Sequence, residues 1–251
     1  MEKEIVLITG ATSGIGEATA KLLAENRYRL ILTGRRKERM EELKERLIKL
    51  TDVHILSFDI RKREEVDNAI DSLPSELQDV DVLVNNAGLA AGRDHFHECD
   101  MDDWEQMIDT NLKGLLYISR KITPRMVKRG TGHVINVGSI AGREMYEKGN
   151  VYSATKHAVE ALSRGMRMDM FRHGIRVSTV SPGLVETEFS LVRFKGDGEK
   201  AKEPYRGMKP LSGRDVAEAI LFMINRPPHV CINDLLIMPT AQAAALMVHR
   251  E

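Results

Sequence analysis

Short, wholly apolar runs alternate along this chain with longer stretches in which apolar residues recur every three or four positions. Ile5, Val6, Leu7 and Ile8 form the first run. Behind them Ile15, Ala18, Thr19, Leu22 and Leu23 fall at helical spacing. Residues 28–32 predict a second strand, and residues 37–50 a charged helix with Met40, Leu43, Leu47 and Leu50 on one face. The rhythm continues with strands predicted over 53–58, 80–84, 133–137, 176–180 and 232–237, and with helices over 63–73, 101–128, 151–173 and 213–225.

Strands that are apolar throughout, separated by helices, predict a parallel sheet covered on both faces and joined by right-handed crossovers. No low-complexity linker or internal repeat divides the chain. The fold class is therefore α/β: a single doubly wound, Rossmann-type domain over 1–251, with a parallel seven-stranded sheet and helices on both faces. Residues 184–212 depart from the rhythm. They are polar and carry Gly196, Gly198, Pro204, Gly207 and Pro210. They read as an excursion that covers a substrate cleft, in the manner of a lid.

Composition narrows the function. With 251 residues, 42% of them hydrophobic, the chain has ample material for one core. Lys plus Arg and Asp plus Glu both number 37, and this even balance argues against a nucleic-acid partner. No run approaches the roughly 18 apolar residues of a membrane span, and the start lacks the basic, long-apolar pattern of a signal peptide. Cys99 and Cys231 stand far apart and outside any CxxC or Cys/His cluster. They read as two reduced thiols, with no metal site, and the expected location is the cytoplasm.

Candidate chemistry begins where the first strand ends, in Thr9-Gly10-Ala11-Thr12-Ser13-Gly14-Ile15-Gly16. Glycine permits a tight turn and lets backbone approach a pyrophosphate at a helix N-terminus. Gly10, Thr12, Ser13, Gly14, Ile15 and Gly16 are thus candidate dinucleotide contacts. A NAD site places Asp or Glu at the end of the second strand, against the ribose 2′-hydroxyl. Here Thr33-Gly34-Arg35-Arg36 stands instead. Two cations at a helix start oppose the helix dipole, and a guanidinium grips a 2′-phosphate well, so Arg35 and Arg36 favour NADP(H). Asp59 and Ile60 are expected beside the adenine, and Asp59 could equally cap the next helix.

Tyr152 and Lys156 are four apart and share one face of a predicted helix. A phenol is a poor acid or base near neutral pH, and a neighbouring ammonium brings its pKa down toward the working range. Ser139, at a strand end, can hydrogen-bond a substrate oxygen. Alone, Tyr152 and Lys156 at this spacing are an ordinary helix-surface pair. Together, downstream of a cofactor loop, they point to acid/base chemistry at a carbonyl or alcohol.

With Asn85-Asn86-Ala87-Gly88 after the fourth strand and Asn111 inside the long helix, the ordered set resembles the short-chain dehydrogenase/reductase family from about Ile5 to the tail. The resemblance implies that Tyr152 is the acid/base, that Lys156 holds the nicotinamide ribose, and that Ser139 polarises the carbonyl. Asn111 would hold a water in a proton relay, its mid-helix position fitting a local kink. Asn86, Ala87 and Gly88 would line the adenosine-ribose side, while Pro182, Gly183, Val185 and Thr187 would wrap the nicotinamide. Within the family the chain looks most like the NADP-dependent 3-hydroxy acid dehydrogenases of the serine 3-dehydrogenase and L-allo-threonine dehydrogenase type. The similar stretches are 33–36, 89–92, 149–152, 187–190, 192–197 and the tail. That branch implies oxidation of the 3-hydroxyl of serine, allo-threonine or 3-hydroxypropionate, or the reverse reduction, by a homotetramer.

Positive charge on the excursion (Arg193, Lys195, Lys200, Lys202, Arg206, Lys209) and Arg143, four residues past Ser139, suits a carboxylate-bearing substrate, with Arg143 and Arg193 as its candidate partners. The sequence Gly142-Arg143-Glu144 departs from the small or apolar residues expected there, and Glu144 could neutralise Arg143. A 3-oxoacyl carrier-protein reductase and a non-catalytic NADPH-binding protein are the alternatives. The tail around His249 and Arg250 is expected to pack on a neighbouring subunit.

Overall fold

The computed structural model describes residues 4–251. In chain order the elements are β1 (Ile5–Thr9), α1 (Gly14–Glu25), β2 (Arg29–Gly34), α2 (Lys37–Leu47), β3 (Val53–Ser57), α3 (Arg63–Asp71), β4 (Val82–Asn85), α4 (Met101–Ile108), α5 (Leu115–Arg129), β5 (Gly132–Val137), α6 (Asn150–Met170), β6 (Ile175–Pro182), α7 (Glu188–Arg193), α8 (Gly198–Lys202), α9 (Gly213–Ile224) and β7 (Asp234–Ile237). The seven strands form one sheet in the order β3-β2-β1-β4-β5-β6-β7, and every pairing is parallel.

Alternate residues of each strand face opposite sides of the sheet, and each side has its own core. Val6, Ile8, Leu30 and Leu32 pack with Leu23, Leu43 and Ile220 from α1, α2 and α9. Leu7, Ile31, Leu83 and Val134 pack with Val66, Ile118, Ile122 and Met126 from α3 and α5. The chain winds outward from β1 to β3, then crosses back to lay β4 on the other side of β1. That reversal opens a crevice at the carboxyl ends of the strands, where ligands bind in such sheets.

The helix expected over 101–128 is three pieces. Between α4 and α5 lies a π-helical turn, Asp109–Gly114. An inserted residue of this kind re-aims a side chain. Here Asn111 turns inward, its Oδ1 accepting from Leu89 N at 2.8 Å and its Nδ2 donating to Leu89 O at 2.8 Å. The last strand is shorter than its apolar run, because only Asp234–Ile237 lies along β6.

The excursion is closed at its root by backbone hydrogen bonds from Glu186 N to Leu211 O (2.8 Å) and from Leu211 N to Leu184 O (2.9 Å). Its tip carries α7 and α8. The tail packs on this same chain: Arg250 Nη2 donates to Pro204 O at 3.0 Å and Glu251 N to Gly207 O at 2.9 Å. Its polar end thus satisfies carbonyls of the excursion. Among the described residues, no helix is long and apolar enough to cross a membrane.

Candidate active site

A cleft of about 650 Å³ follows the crevice from the β2–α2 corner to the excursion. At its floor the glycine loop joins β1 to α1. Gly10 has φ +66°, and a Cβ there would meet Ala87 Cα at 2.9 Å; only glycine relieves both constraints. Ser13 caps α1 in position but its side chain makes no cap bond. Gly10, Thr12, Ser13, Gly14 and Ile15 line the cleft. Gly16 lies behind them, packed against the Gly10 carbonyl and the Asn86 amide.

Asn86 ties β4 to this loop. Its backbone N–H donates to Thr9 Oγ1 at 3.0 Å, and its Nδ2 donates to Thr9 O at 2.9 Å and Gly10 O at 3.1 Å. Thr9 also accepts from Ala87 N at 2.9 Å. It is a buried residue with a single hydroxyl fixing two loops, and a polar side chain ending an apolar strand was its only sequence signal.

Arg35 and Arg36 both line the cleft but differ in their partners. Arg36 donates to Thr12 Oγ1 at 2.8 Å, to Ser13 Oγ at 2.8 Å and to Glu188 Oε2 at 2.8 Å. Arg35 reaches outward, 4.0 Å from Asp59 Oδ2 and with 54% of its side chain exposed. Asp59 accepts from the backbone and guanidinium of Arg61, the latter at 2.6 Å. Burial pushes the Asp59 carboxyl up, and Arg61 more than reverses this, leaving it below its ordinary value. Asp59 caps its own turn, since α3 begins behind Lys62. It lines the cleft with Ile60, Ala87 and Gly88.

At the other end, Ser139 follows β5 and its Oγ accepts from Ala141 N at 3.1 Å. Tyr152 and Lys156 project from the first turns of α6. The Tyr152 phenol lies against Ser139, and its ring packs 5.5 Å from that of Phe189 on α7. Burial, with Tyr146 adding to it, pushes this phenol up, and Ser139 and Arg193 act in the opposite direction. Burial pushes the Lys156 ammonium down to about 8, against the carboxylate of Glu160 one turn on. Lys156 Nζ donates to Val137 O at 2.9 Å. Asn111 Nδ2 also donates to Thr155 Oγ1 at 3.1 Å, so it braces α6 beside Lys156. Pro182 and Gly183 end β6 along the cleft, followed by Val185, and Thr187 caps α7 by accepting from Phe189 N at 3.2 Å.

The two substrate candidates separate. Arg193 leans over Tyr152, its guanidinium carbon 5.6 Å from the ring centre. It donates to Tyr146 Oη at 2.9 Å and to Gly92 O at 3.3 Å. Its Nη2 is buried and finds no partner among the described residues. Arg143 does not line the cleft; its Nε lies 3.9 Å from the buried Glu160. Glu144 accepts from Ala245 N at 2.7 Å and so binds the tail. Of the other excursion cations, Lys195 pairs with Asp103 at 3.0 Å, Lys200 with Asp197 at 3.5 Å and Lys202 with Glu199 at 3.1 Å. Arg193 is therefore the excursion cation that faces Tyr152.

Sequence reasoning missed Tyr146, Phe189, Tyr205 and Gln242, which wall the cleft. Gln242, near the tail, accepts from Leu184 N at 2.8 Å and holds the root of the excursion. Its only signal was a polar residue in an apolar segment.

Residues 4–196 match the short chain dehydrogenase family. The chain is 47% identical to an NADP-dependent 3-hydroxy acid dehydrogenase, YdfG, of Salmonella typhi, over 98% of this chain and 100% of that protein. It is 44% identical to sulfoacetaldehyde reductase 2 of Chromohalobacter salexigens, over 99% of each. Among solved structures, the closed form of serine dehydrogenase complexed with NADP+ superposes with a TM-score of 0.92 at 46% identity, covering 98% of this chain and 100% of that one.

Proposed function

This chain belongs to the short-chain dehydrogenase family, and on that premise we propose that it oxidises the 3-hydroxyl of small 3-hydroxy acids with NADP+, or reduces the matching 3-oxo acid or semialdehyde with NADPH. Serine, allo-threonine and 3-hydroxypropionate are the substrates of this class. The observation that carries the reading is the buried Arg193 Nη2, free to bond and placed above the Tyr152 ring. A three-carbon acid with its hydroxyl at Tyr152 and Ser139 would put its carboxylate within reach of that nitrogen. A charge-assisted bond in such a site is strong and selective.

The residues present fit the cofactor. The cradle at Gly10 is too tight for a side chain, and the β2–α2 corner offers guanidinium groups to a 2′-phosphate where a carboxylate would repel it. Gly10, Thr12, Ser13, Gly14 and Ile15 would hold the pyrophosphate over the start of α1. Arg35 and Arg36 would hold the 2′-phosphate, and Asp59, Ile60, Asn86, Ala87 and Gly88 the adenosine. Pro182, Gly183, Val185 and Thr187 would wrap the nicotinamide. When bound, the cofactor supplies the hydride or accepts it.

The chain's own groups manage the proton. Tyr152 gives its proton to the substrate oxygen in reduction and takes one from the alcohol in oxidation. Ser139 holds that oxygen. Lys156 would bind the ribose hydroxyls, and its charge would favour the phenolate that burial opposes. Asn111 holds Leu89 and braces α6, so that a water can be kept beside Lys156.

We place the enzyme in the cytoplasm as a homotetramer. Exposed apolar residues on α5, α6, the turn that follows α6, and β7, among them Leu116, Met168, Phe171 and Leu236, support an assembled state. A sulfonate substrate is the second reading, favoured by Arg93, which lines the cleft as Arg193 does. Cofactor absorbance would be followed with L-serine, L-allo-threonine, 3-hydroxypropionate, 3-hydroxybutyrate and a plain secondary alcohol, each with NADP+ and with NAD+. Sulfoacetaldehyde would be run with NADPH. Turnover of the acids with NADP+, and little of the plain alcohol, is expected. Silence on the acids with activity on sulfoacetaldehyde selects the second reading; activity on the plain alcohol alone refutes both.

A further inference from the structure

Glu188 is the first residue of α7 and reaches away from the substrate end of the cleft, back to the β2–α2 corner. Its Oε2 accepts from Arg36 Nη1 at 2.8 Å and its Oε1 accepts from Arg39 Nη1 at 2.6 Å. One carboxylate therefore bridges two guanidinium groups, and it does so across 152 residues of sequence from Arg36. Arg36 Nε and Nη2 donate to Thr12 and Ser13. Both Arg36 and Glu188 line the cleft. An anion is already seated where the reading above places the 2′-phosphate.

We propose that Glu188 competes with the cofactor's 2′-phosphate for Arg36 and Arg39, and so sets how strongly the enzyme prefers phosphorylated adenosine. The inference rests on the assignment of the 2′-phosphate to this corner. A phosphomonoester carries between one and two negative charges near neutral pH, and cannot share these guanidiniums with an ionised carboxylate without repulsion. The Arg36 hydrogen bond keeps the Glu188 carboxyl below its ordinary range, so it stays ionised where the phosphate does. The competition is partial by design of the site: all three side chains are 39–47% exposed, and solvent screens each pair. Removing the carboxylate charge tightens binding of the phosphate.

The test uses 2′,5′-ADP and 5′-AMP as probes, which carry the adenosine end of the cofactor with and without the 2′-phosphate. Their dissociation constants would be measured by calorimetry on the full chain and on Glu188→Gln, Glu188→Ala and Arg36→Ala. For Glu188→Gln and Glu188→Ala, 2′,5′-ADP should bind about three- to tenfold more tightly, as loss of exposed ion pairs predicts. Binding of 5′-AMP should not change, and the gain should shrink as salt is raised. Thermal unfolding identifies a variant that has not folded, and the two Glu188 substitutions serve as replicates of each other. Unchanged or weakened 2′,5′-ADP binding in both Glu188 variants overturns the proposal. Arg36→Ala separates the two levels. If it costs 2′,5′-ADP no more than 5′-AMP, the 2′-phosphate assignment fails and takes this inference with it. If it selectively weakens 2′,5′-ADP while the Glu188 variants do not tighten it, the competition alone is wrong.

Discussion

Replacing Arg193 with Met should separate recognition of the carboxylate from the chemistry. Met keeps an unbranched apolar stem and removes the guanidinium that lies over the Tyr146 and Tyr152 rings. Two bonds of Arg193, to Tyr146 Oη and Gly92 O, are lost within the protein, and Nη2 is lost to the substrate. A hydrogen bond to a charged group contributes about 1.5–3 kcal/mol, so KM for 3-hydroxypropionate should rise by about 10- to 150-fold. The plain secondary alcohol has no carboxylate, and its KM should move little. A second effect has a definite sign. Arg193 lowers the Tyr152 pKa, so the variant's phenol ionises at higher pH, and the rise of alcohol oxidation with pH shifts upward for every substrate. Steady-state kinetics across pH on both alcohols read the two effects apart. Equal rises in KM for acid and plain alcohol would refute carboxylate recognition by Arg193. An unmoved pH profile would refute its electrostatic hold on Tyr152.

Tyr152→Phe removes the proton donor and keeps the ring against Phe189; turnover should fall by about 100- to 10,000-fold, while NADPH binding by fluorescence stays near the parent value. A parallel loss of binding would show that the phenol serves the cofactor instead. Arg35→Glu with Arg36→Ile should move the kcat/KM ratio from NADP+ toward NAD+, by about tenfold or more for each charged contact removed; an unchanged ratio sinks the 2′-phosphate assignment. His133 is 1% exposed, and burial pushes its imidazole down to about 3. The folded state therefore refuses a proton that the unfolded state takes up below its ordinary value of 6.5. Stability from this group is complete above that value and is lost as pH falls toward 3. By pH 5 the loss is about 2 kcal/mol. His133→Gln should flatten the acid side of a Tm-against-pH curve, and an unaltered slope would refute the linkage.

The strands were legible because burial on both faces leaves continuous apolar runs, as in Ile5–Thr9, all of whose residues are buried. Their boundaries moved by a residue or two where polar ends join the ladder: Gly34 pairs with Ser57, and Pro182 with Ile237. The break at Asp109–Gly114 was not legible as such. The helical period runs through it, and the cause is tertiary, because Asn111 binds the backbone of Leu89, 22 residues away. The mid-helix Asn gave the place of a kink and not its form. Motifs whose spacing is local, the glycine loop and the Tyr152–Lys156 pair, do meet at one cleft, all their candidate residues but Gly16 lining it.

Recognition is where sequence reasoning ran short, and one principle explains each case. A charge near a reactive residue in sequence is free to choose its partner in space. Arg143 is four positions from Ser139 yet lies 3.9 Å from Glu160, a buried carboxylate that needs a neighbour. Arg193 is more than fifty positions from Ser139 yet leans over Tyr152, because α7 returns across the cleft. Glu188 was given no role from the sequence, and its contacts come from two arginines that the β2–α2 corner presents. The unassigned residues of the site are thus those of the covering excursion and the tail. Their contacts are set by how a long polar segment folds back, which no period of two or 3.6 encodes. Within that segment the discriminating feature is unmet bonding capacity. Lys195, Lys200 and Lys202 have found carboxylates. A buried guanidinium nitrogen without a partner costs free energy that a water or a ligand recovers, and Arg193 Nη2 is the one that faces Tyr152.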